Sequence, residues 1–162
     1  MSERMRWLKS AYRERVELEE SKRIAENLLG ATEEGQPRVW LLTEDKNVLG
    51  CMALLGTTPD WGWPAEQQAE KALTVVSLFT SPACQQDRLS RFMAWWVLDY
   101  ADRLGGVDWV RGCTRSERVM RFARDEMGWD QVDTVLRDGR HVHLLQRRPQ
   151  RMRGIASLIA DG

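Results

Sequence analysis

Leu73-Thr74-Val75-Val76-Ser77-Leu78-Phe79, followed by the turn Pro82-Ala83-Cys84-Gln85-Gln86-Asp87-Arg88-Leu89-Ser90, is the stretch on which the fold depends. Its first part is a nearly continuous apolar run, as expected of a central strand buried on both faces. Pro82 ends that run. From Asp87 the pattern becomes helical, with Leu89, Met93, Trp96, Tyr100 and Leu104 on one stripe, and Gly105-Gly106 closes the helix. Trp109 to Cys113 reads as a second strand. Ser116 caps a short helix carrying Val119, Met120 and Ala123, which stops at Gly128. Val132 to Leu136 and His141 to Leu145 form a hairpin across Arg137-Asp138-Gly139-Arg140. Strand, turn, long helix, strand, short helix and hairpin make an α/β domain.

Upstream, Trp7, Leu8, Ala11, Tyr12 and Val16 recur at helical spacing, and Ile24, Ala25, Leu28 and Leu29 repeat the pattern, with Ser21 as cap and Gly30 as stop. Arg38-Val39-Trp40-Leu41-Leu42 and Val48 to Leu55 read as a hairpin around Glu44-Asp45-Lys46-Asn47. The polar loop from Gly56 to Lys71 carries Trp61 and Trp63, which either pack the loop onto the body or line a ligand mouth. Residues 1–148 are expected to form one domain and 149–162 a basic C-terminal tail, with Ile155, Leu158 and Ile159 able to dock as a short helix.

A chain of 162 residues can bury a core of its own. Lys+Arg and Asp+Glu both number 24, which argues against binding nucleic acid through the whole surface. No apolar run approaches the length of a membrane span, and no apolar signal core follows Met1, so a cytoplasmic location without a membrane partner is expected. Cys51, Cys84 and Cys113 are isolated and form neither a disulfide framework nor a zinc motif. Cys51 and Cys113 stand in strand-like surroundings, where buried thiols are expected. Cys84, in the turn, has no base beside it in sequence.

His141 and His143 alternate on one strand and so face the same way, but no further ligand type adjoins them, and no metal is expected. Arg115, Arg118, Arg121 and Arg124 recur every three residues along the short helix. With Asp125 and Glu126 beside them and no aromatic platform, they read as a solvated face.

The order of elements resembles the GNAT superfamily of acyl-CoA-dependent N-acetyltransferases, in particular a bacterial branch marked here by Ala72-Leu73, a mid-helix Trp96, Trp109-Val110-Arg111 and Gln146-Arg147. The likeness spans about Val39 to Arg148. It implies a mixed, mostly antiparallel sheet flanked by helices, with acetyl-CoA or another acyl-CoA as co-substrate and a small-molecule amine as acceptor. The backbone near Leu78, Phe79 and Thr80 would hold the pantetheine and acyl carbonyl. Gln85, Gln86, Arg88 and Ser90 would meet the pyrophosphate. Glu66 and Glu70 stand where a general base of this type can sit.

The family's turn pattern is Arg/Gln-x-x-Gly-x-Gly/Ala, and it aligns on Gln85-Gln86-Asp87-Arg88-Leu89-Ser90. Its two small positions are Arg88 and Ser90. Arg88 either pairs with the phosphates or fills their space. The family's Tyr-x-x-x-Gly-Phe ending, whose Tyr often protonates the departing thiolate, aligns on Arg124 and Gly128-Trp129, while Glu117 stands where Asn is usual. Arginine stays protonated, so Arg124 could stabilise a thiolate but not readily protonate it. The expected first strand is missing or unrecognisable, which leaves either a shorter sheet or an edge covered by a second copy or a partner chain. Two functions follow: an acyltransferase, or a GNAT-like protein without acetyltransferase activity that serves as a binding or partner subunit or reuses the cleft.

Overall fold

A computed structural model describes residues 37–44, 47–81 and 88–155. The N-terminal helical pattern, the missing first strand, Cys84, Gln85, Gln86 and the end of the tail lie outside the described residues. The elements are β1 (Arg38–Glu44), β2 (Asn47–Leu55), the short α1 (Ala65–Gln68), β3 (Ala72–Thr80), α2 (Leu89–Leu104), β4 (Trp109–Thr114), α3 (Glu117–Arg121) continued by a π-helical turn (Phe122–Glu126), β5 (Asp130–Arg137) and β6 (Arg140–Arg147). Among the described residues, six strands form one sheet in the order β1-β2-β3-β4-β6-β5. Only β3 and β4 run parallel; all other neighbours are antiparallel. The expected α/β architecture with a mostly antiparallel sheet is therefore the one observed.

Local chemistry explains the turns. Asp138 and Gly139 both take positive φ (51° and 72°), as a two-residue hairpin of matching twist requires. Ser116 Oγ accepts from Val119 N–H and so caps α3. Gly105, at φ 68°, ends α2.

The main core lies between the sheet and α2, with Met52, Leu54, Leu73 and Val110 from strands meeting Met93, Val97, Leu98 and Ala101. The buried stripe of α2 is thus rotated from the one read in sequence, and Leu104 is exposed. Trp96 and Tyr100 pack at the flank instead, stacked at 5.0 Å and both against Trp40 of β1. Gly50 permits α2 to sit low on the sheet, since a Cβ there would lie 2.7 Å from Met93 Sδ. A smaller cluster on the opposite face joins Trp63 to Val142 and Leu144, with Trp61 beside it. The Gly56–Lys71 loop is pinned by these two rings.

After β6 the chain straps back over α2. Gln150 N–H donates to Leu98 O, and Met152 N–H donates to the buried Asp99 carboxylate at 3.0 Å. Arg103 Nε closes on the same carboxylate at 2.8 Å. Ile155 is buried, so the start of the tail is docked.

Candidate active site

The parallel ladder between β3 and β4 is short, running from Ala72↔Trp109 to Val75↔Gly112. Beyond it β3 continues against β2 and β4 continues against β6. The β2–β3 register shifts at the same level: Ala53 opposes Ser77 and Leu54 opposes Val75, leaving Val76 as an extra residue. Such a bulge bends and twists its strand. The bulge therefore coincides with the point where β3 parts from β4, and a cleft opens between them.

The cleft has a volume of about 700 Å³. Residues 75–81 form one wall and residues 112–116 the other, with Ser90, Ala94 and Val97 of α2, and Val119, Phe122 and Ala123 of the short helix, completing it. Met127, Trp129 and Leu145 lie at its base. Ser81 N–H donates to Leu49 O at 2.7 Å, so the odd-numbered positions at this end of β3 face β2. Strand alternation then turns the N–H and C=O groups of Leu78 and Thr80 toward the cleft. This edge can receive an extended, amide-bearing ligand as a further strand would be received.

Leu78, Phe79, Thr80 and Ser90 are brought together on the cleft lining. Arg88 is exposed at the N-terminal cap of α2, outside that lining, at φ 52° and ψ 33°. This is the left-handed conformation that glycine adopts without cost, held here by an arginine at the position where the turn pattern has glycine.

Glu70 lies elsewhere. Its carboxylate pairs with the guanidinium of Arg111, whose side chain is wholly buried. Arg111 also donates to Thr58 Oγ1 (2.6 Å), to Gln67 O and to Gln146 Oε1 (3.4 Å), and it lies 4.8 Å from the Trp63 ring. This buried cation ties the Gly56–Lys71 loop to β4 from the face opposite α2.

Arg124 is also outside the lining. It is exposed on the π turn, with Nε 2.7 Å from Asp125 Oδ1 and Nη1 3.5 Å from Gln131 Oε1. The hydrogen bond that Arg124 donates to the Asp125 carboxylate, reinforced by the carboxylate charge, raises the Arg124 pKa above its ordinary value, and the same hydrogen bond lowers that of Asp125. The short helix is joined to the α2 start by Arg91, which pairs with Glu126 and sits 5.1 Å over Phe122.

Cys113 corrects the sequence reading: it is exposed and lines the cleft, because β4 has no β3 neighbour at that level. Thr114, Arg115 and Ser116 join it there, so Arg115, read in the sequence as part of a solvated arginine face, lines the cleft instead, and Ser116 lines it besides capping α3. Thr134 Oγ1 meets His143 Nδ1 at 3.0 Å. Among the described residues no cluster of His, Cys, Asp and Glu could hold a metal ion, and no helix is long and apolar enough to cross a membrane.

Sequence comparison with protein-family models and with curated proteins finds no match. Structural comparison finds many. A putative acetyltransferase of the GNAT family from Desulfovibrio desulfuricans aligns at TM-score 0.68 and 15% identity, over 90% of this chain and 91% of that one. The chain has the GNAT fold. The same fold relates it to a spermidine N-acetyltransferase SpeG chimera from Vibrio cholerae and hSSAT (TM-score 0.64, 12% identity, 92% of each chain). It also relates it to the NatC complex bound to Gag peptide and CoA (TM-score 0.52, 11% identity, 68% of this chain and 70% of that one). In GNAT-fold terms the parting of β3 from β4, with the bulge beside it, is the feature that creates the cleft.

Proposed function

We propose that the protein is a GNAT-type N-acyltransferase that moves an acetyl or other acyl group from acyl-CoA to a small-molecule amine. The observation that carries this reading is the bulged, splayed end of β3, which turns the backbone groups of Leu78 and Thr80 into a cleft of about 700 Å³. That volume and that unpaired edge suit a slender, amide-containing arm.

An acyl-CoA thioester would supply the activated acyl group. Leu78 and Thr80 would bind the arm through the main chain and orient it along β3. A main-chain N–H near the Val76 bulge would donate to the thioester oxygen as charge develops there. The apolar base at Met127, Trp129 and Leu145 would exclude water from the reacting carbon. The amine nitrogen attacks the thioester carbon, the C–N bond forms and the C–S bond breaks. Sulfur leaves with the electron pair, and the amine proton passes to water. A thiolate is a good leaving group near neutral pH, so expulsion does not require a tyrosine at the Arg124 position.

Titration with acetyl-CoA by calorimetry tests this reading, and absence of binding at millimolar ligand would remove it. A second reading, a GNAT-fold protein that binds without acetyl transfer, draws on one observation: Arg124, aligned with the family's acid, is exposed and directed to Asp125 rather than the cleft. Binding of acetyl-CoA without turnover across an amine panel would favour it.

A further inference from the structure

The cleft is open at its base where a side chain would ordinarily stand. Gly112 lies inside β4, at the last rung shared with β3. Its backbone does not require glycine, since its φ lies outside the left-handed region. Packing does not require it either. A Cβ there would meet Val75 O at 3.7 Å and Val75 Cβ at 3.9 Å, both ordinary contacts, and apart from its chain neighbours nothing else comes within 4 Å. Glycine weakens a strand interior, and in such a place it often marks the close approach of a ligand.

The direction of the missing side chain follows from alternation. Val110 belongs to the core under α2, whereas Arg111 reaches Trp63 on the other face. Gly112 shares the Val110 face, as does Leu145, its partner across β6. The open space over Gly112 therefore lies beneath α2, bounded by Ala94, Val97, Met127 and Leu145, and it is continuous with the cleft. Every one of these walls is apolar.

We infer that the space over Gly112 is an acyl-chain pocket, and that Gly112 sets the length of acyl group the donor carries. The inference rests on the acyltransferase reading and deepens it. The donor class is short unbranched acyl-CoA longer than acetyl, with propionyl and butyryl as the fitting chains. An acetyl group leaves the pocket unfilled, whereas extra methylenes pass from water into apolar contact.

The test is the ratio of kcat/KM for butyryl-CoA to that for acetyl-CoA, measured on the full chain and on Gly112→Ala and Gly112→Val. Valine is a strand former and alanine costs a strand less than glycine does, and the 3.7 and 3.9 Å contacts with Val75 leave room for a Cβ. Wild type is expected to use butyryl-CoA at least as well as acetyl-CoA. Gly112→Val should lower the ratio by about tenfold or more, the discrimination typical of a lost methylene site, with Gly112→Ala between. A merely structural change would alter both donors together and leave the ratio unmoved. An unmoved ratio in both variants, with both donors bound, overturns the pocket alone. No binding of either donor to wild type by calorimetry removes the acyltransferase reading and the pocket with it.

Discussion

Arg111 and Glu70 form an ion pair in which the guanidinium is wholly buried and the carboxylate is partly exposed, its side chain retaining 41% of its accessible surface. The pair is one side of a polar ring completed by Thr58, Gln67 and Gln146. Removing the cation strands several acceptors at once, while neutralising the carboxylate removes one half-solvated partner. Arg111→Met should therefore cost about 3–5 kcal/mol in denaturant unfolding. Glu70→Gln keeps a hydrogen-bonding oxygen and should cost no more than about 1 kcal/mol. Glu70→Gln should also leave turnover within a few-fold, because Glu70 is engaged with Arg111 and lies outside the cleft lining. A hundredfold or greater fall in kcat would instead restore Glu70 as the general base.

Arg88 stands in the left-handed region at φ 52°. That conformation costs an ordinary residue about 1–2 kcal/mol, and glycine returns part of the gain through its freer unfolded chain. Arg88→Gly should thus raise stability by up to about 1 kcal/mol, read as a higher midpoint in urea. Arg88 is exposed and absent from the lining, so the guanidinium does not fill the cleft. The same variant should bind CoA more weakly, with a shallower salt dependence. Tighter binding would show that the side chain obstructs the phosphates.

The elements that the sequence discloses are those set by local chemistry. Gly105, Gly128 and Asp138-Gly139 punctuate the chain at the places where helices and strands end. The central strand declares itself as a run of apolar side chains, but the expected burial on both faces holds only for Ala72, Leu73 and Thr74, because Val75 to Thr80 are half-buried along the cleft. Long-range features were not legible in the same way. Arg111 gathers partners 35 to 53 residues away, and nothing near it in sequence predicts its burial. The exposure of Cys113 depends on where the β3–β4 ladder stops, a property of two strands. Arg124 aligns with a catalytic position in a linear pattern, yet the π turn from Phe122 to Glu126 winds more loosely than an α-helix and redirects the side chains that follow its start.

The alternation along β3 gives a residue-level test of the cleft edge. Ser81 N–H is already bonded to Leu49 O, whereas the Leu78 and Thr80 amides face the cleft. Hydrogen exchange followed by NMR should show slower exchange at Leu78 and Thr80 when CoA is added, with little change at Ser81. Equal protection along the whole strand would indicate general tightening of the sheet rather than pairing with a ligand.

Arg124 and Asp125 make a prediction in both protonation and catalysis. The side-chain hydrogen bond with Arg124 lowers the Asp125 pKa below its ordinary value. A carboxylate depressed in the folded state contributes stability above the unfolded pKa, about 3.9, and loses it as pH falls through the folded value. The Asp125 carboxyl carbon should accordingly titrate by NMR with a midpoint below about 3.9. Arg124→Gln should return that midpoint toward the ordinary value, since the cation and its hydrogen bonds are gone. The pair is exposed, so the variant should unfold at nearly the wild-type denaturant concentration above pH 5 or so. Acyl transfer should also persist within a few-fold, because Arg124 does not line the cleft. A hundredfold loss of kcat with unchanged KM would place the guanidinium at the thiolate after all, and the π turn would then have to open toward the cleft during turnover.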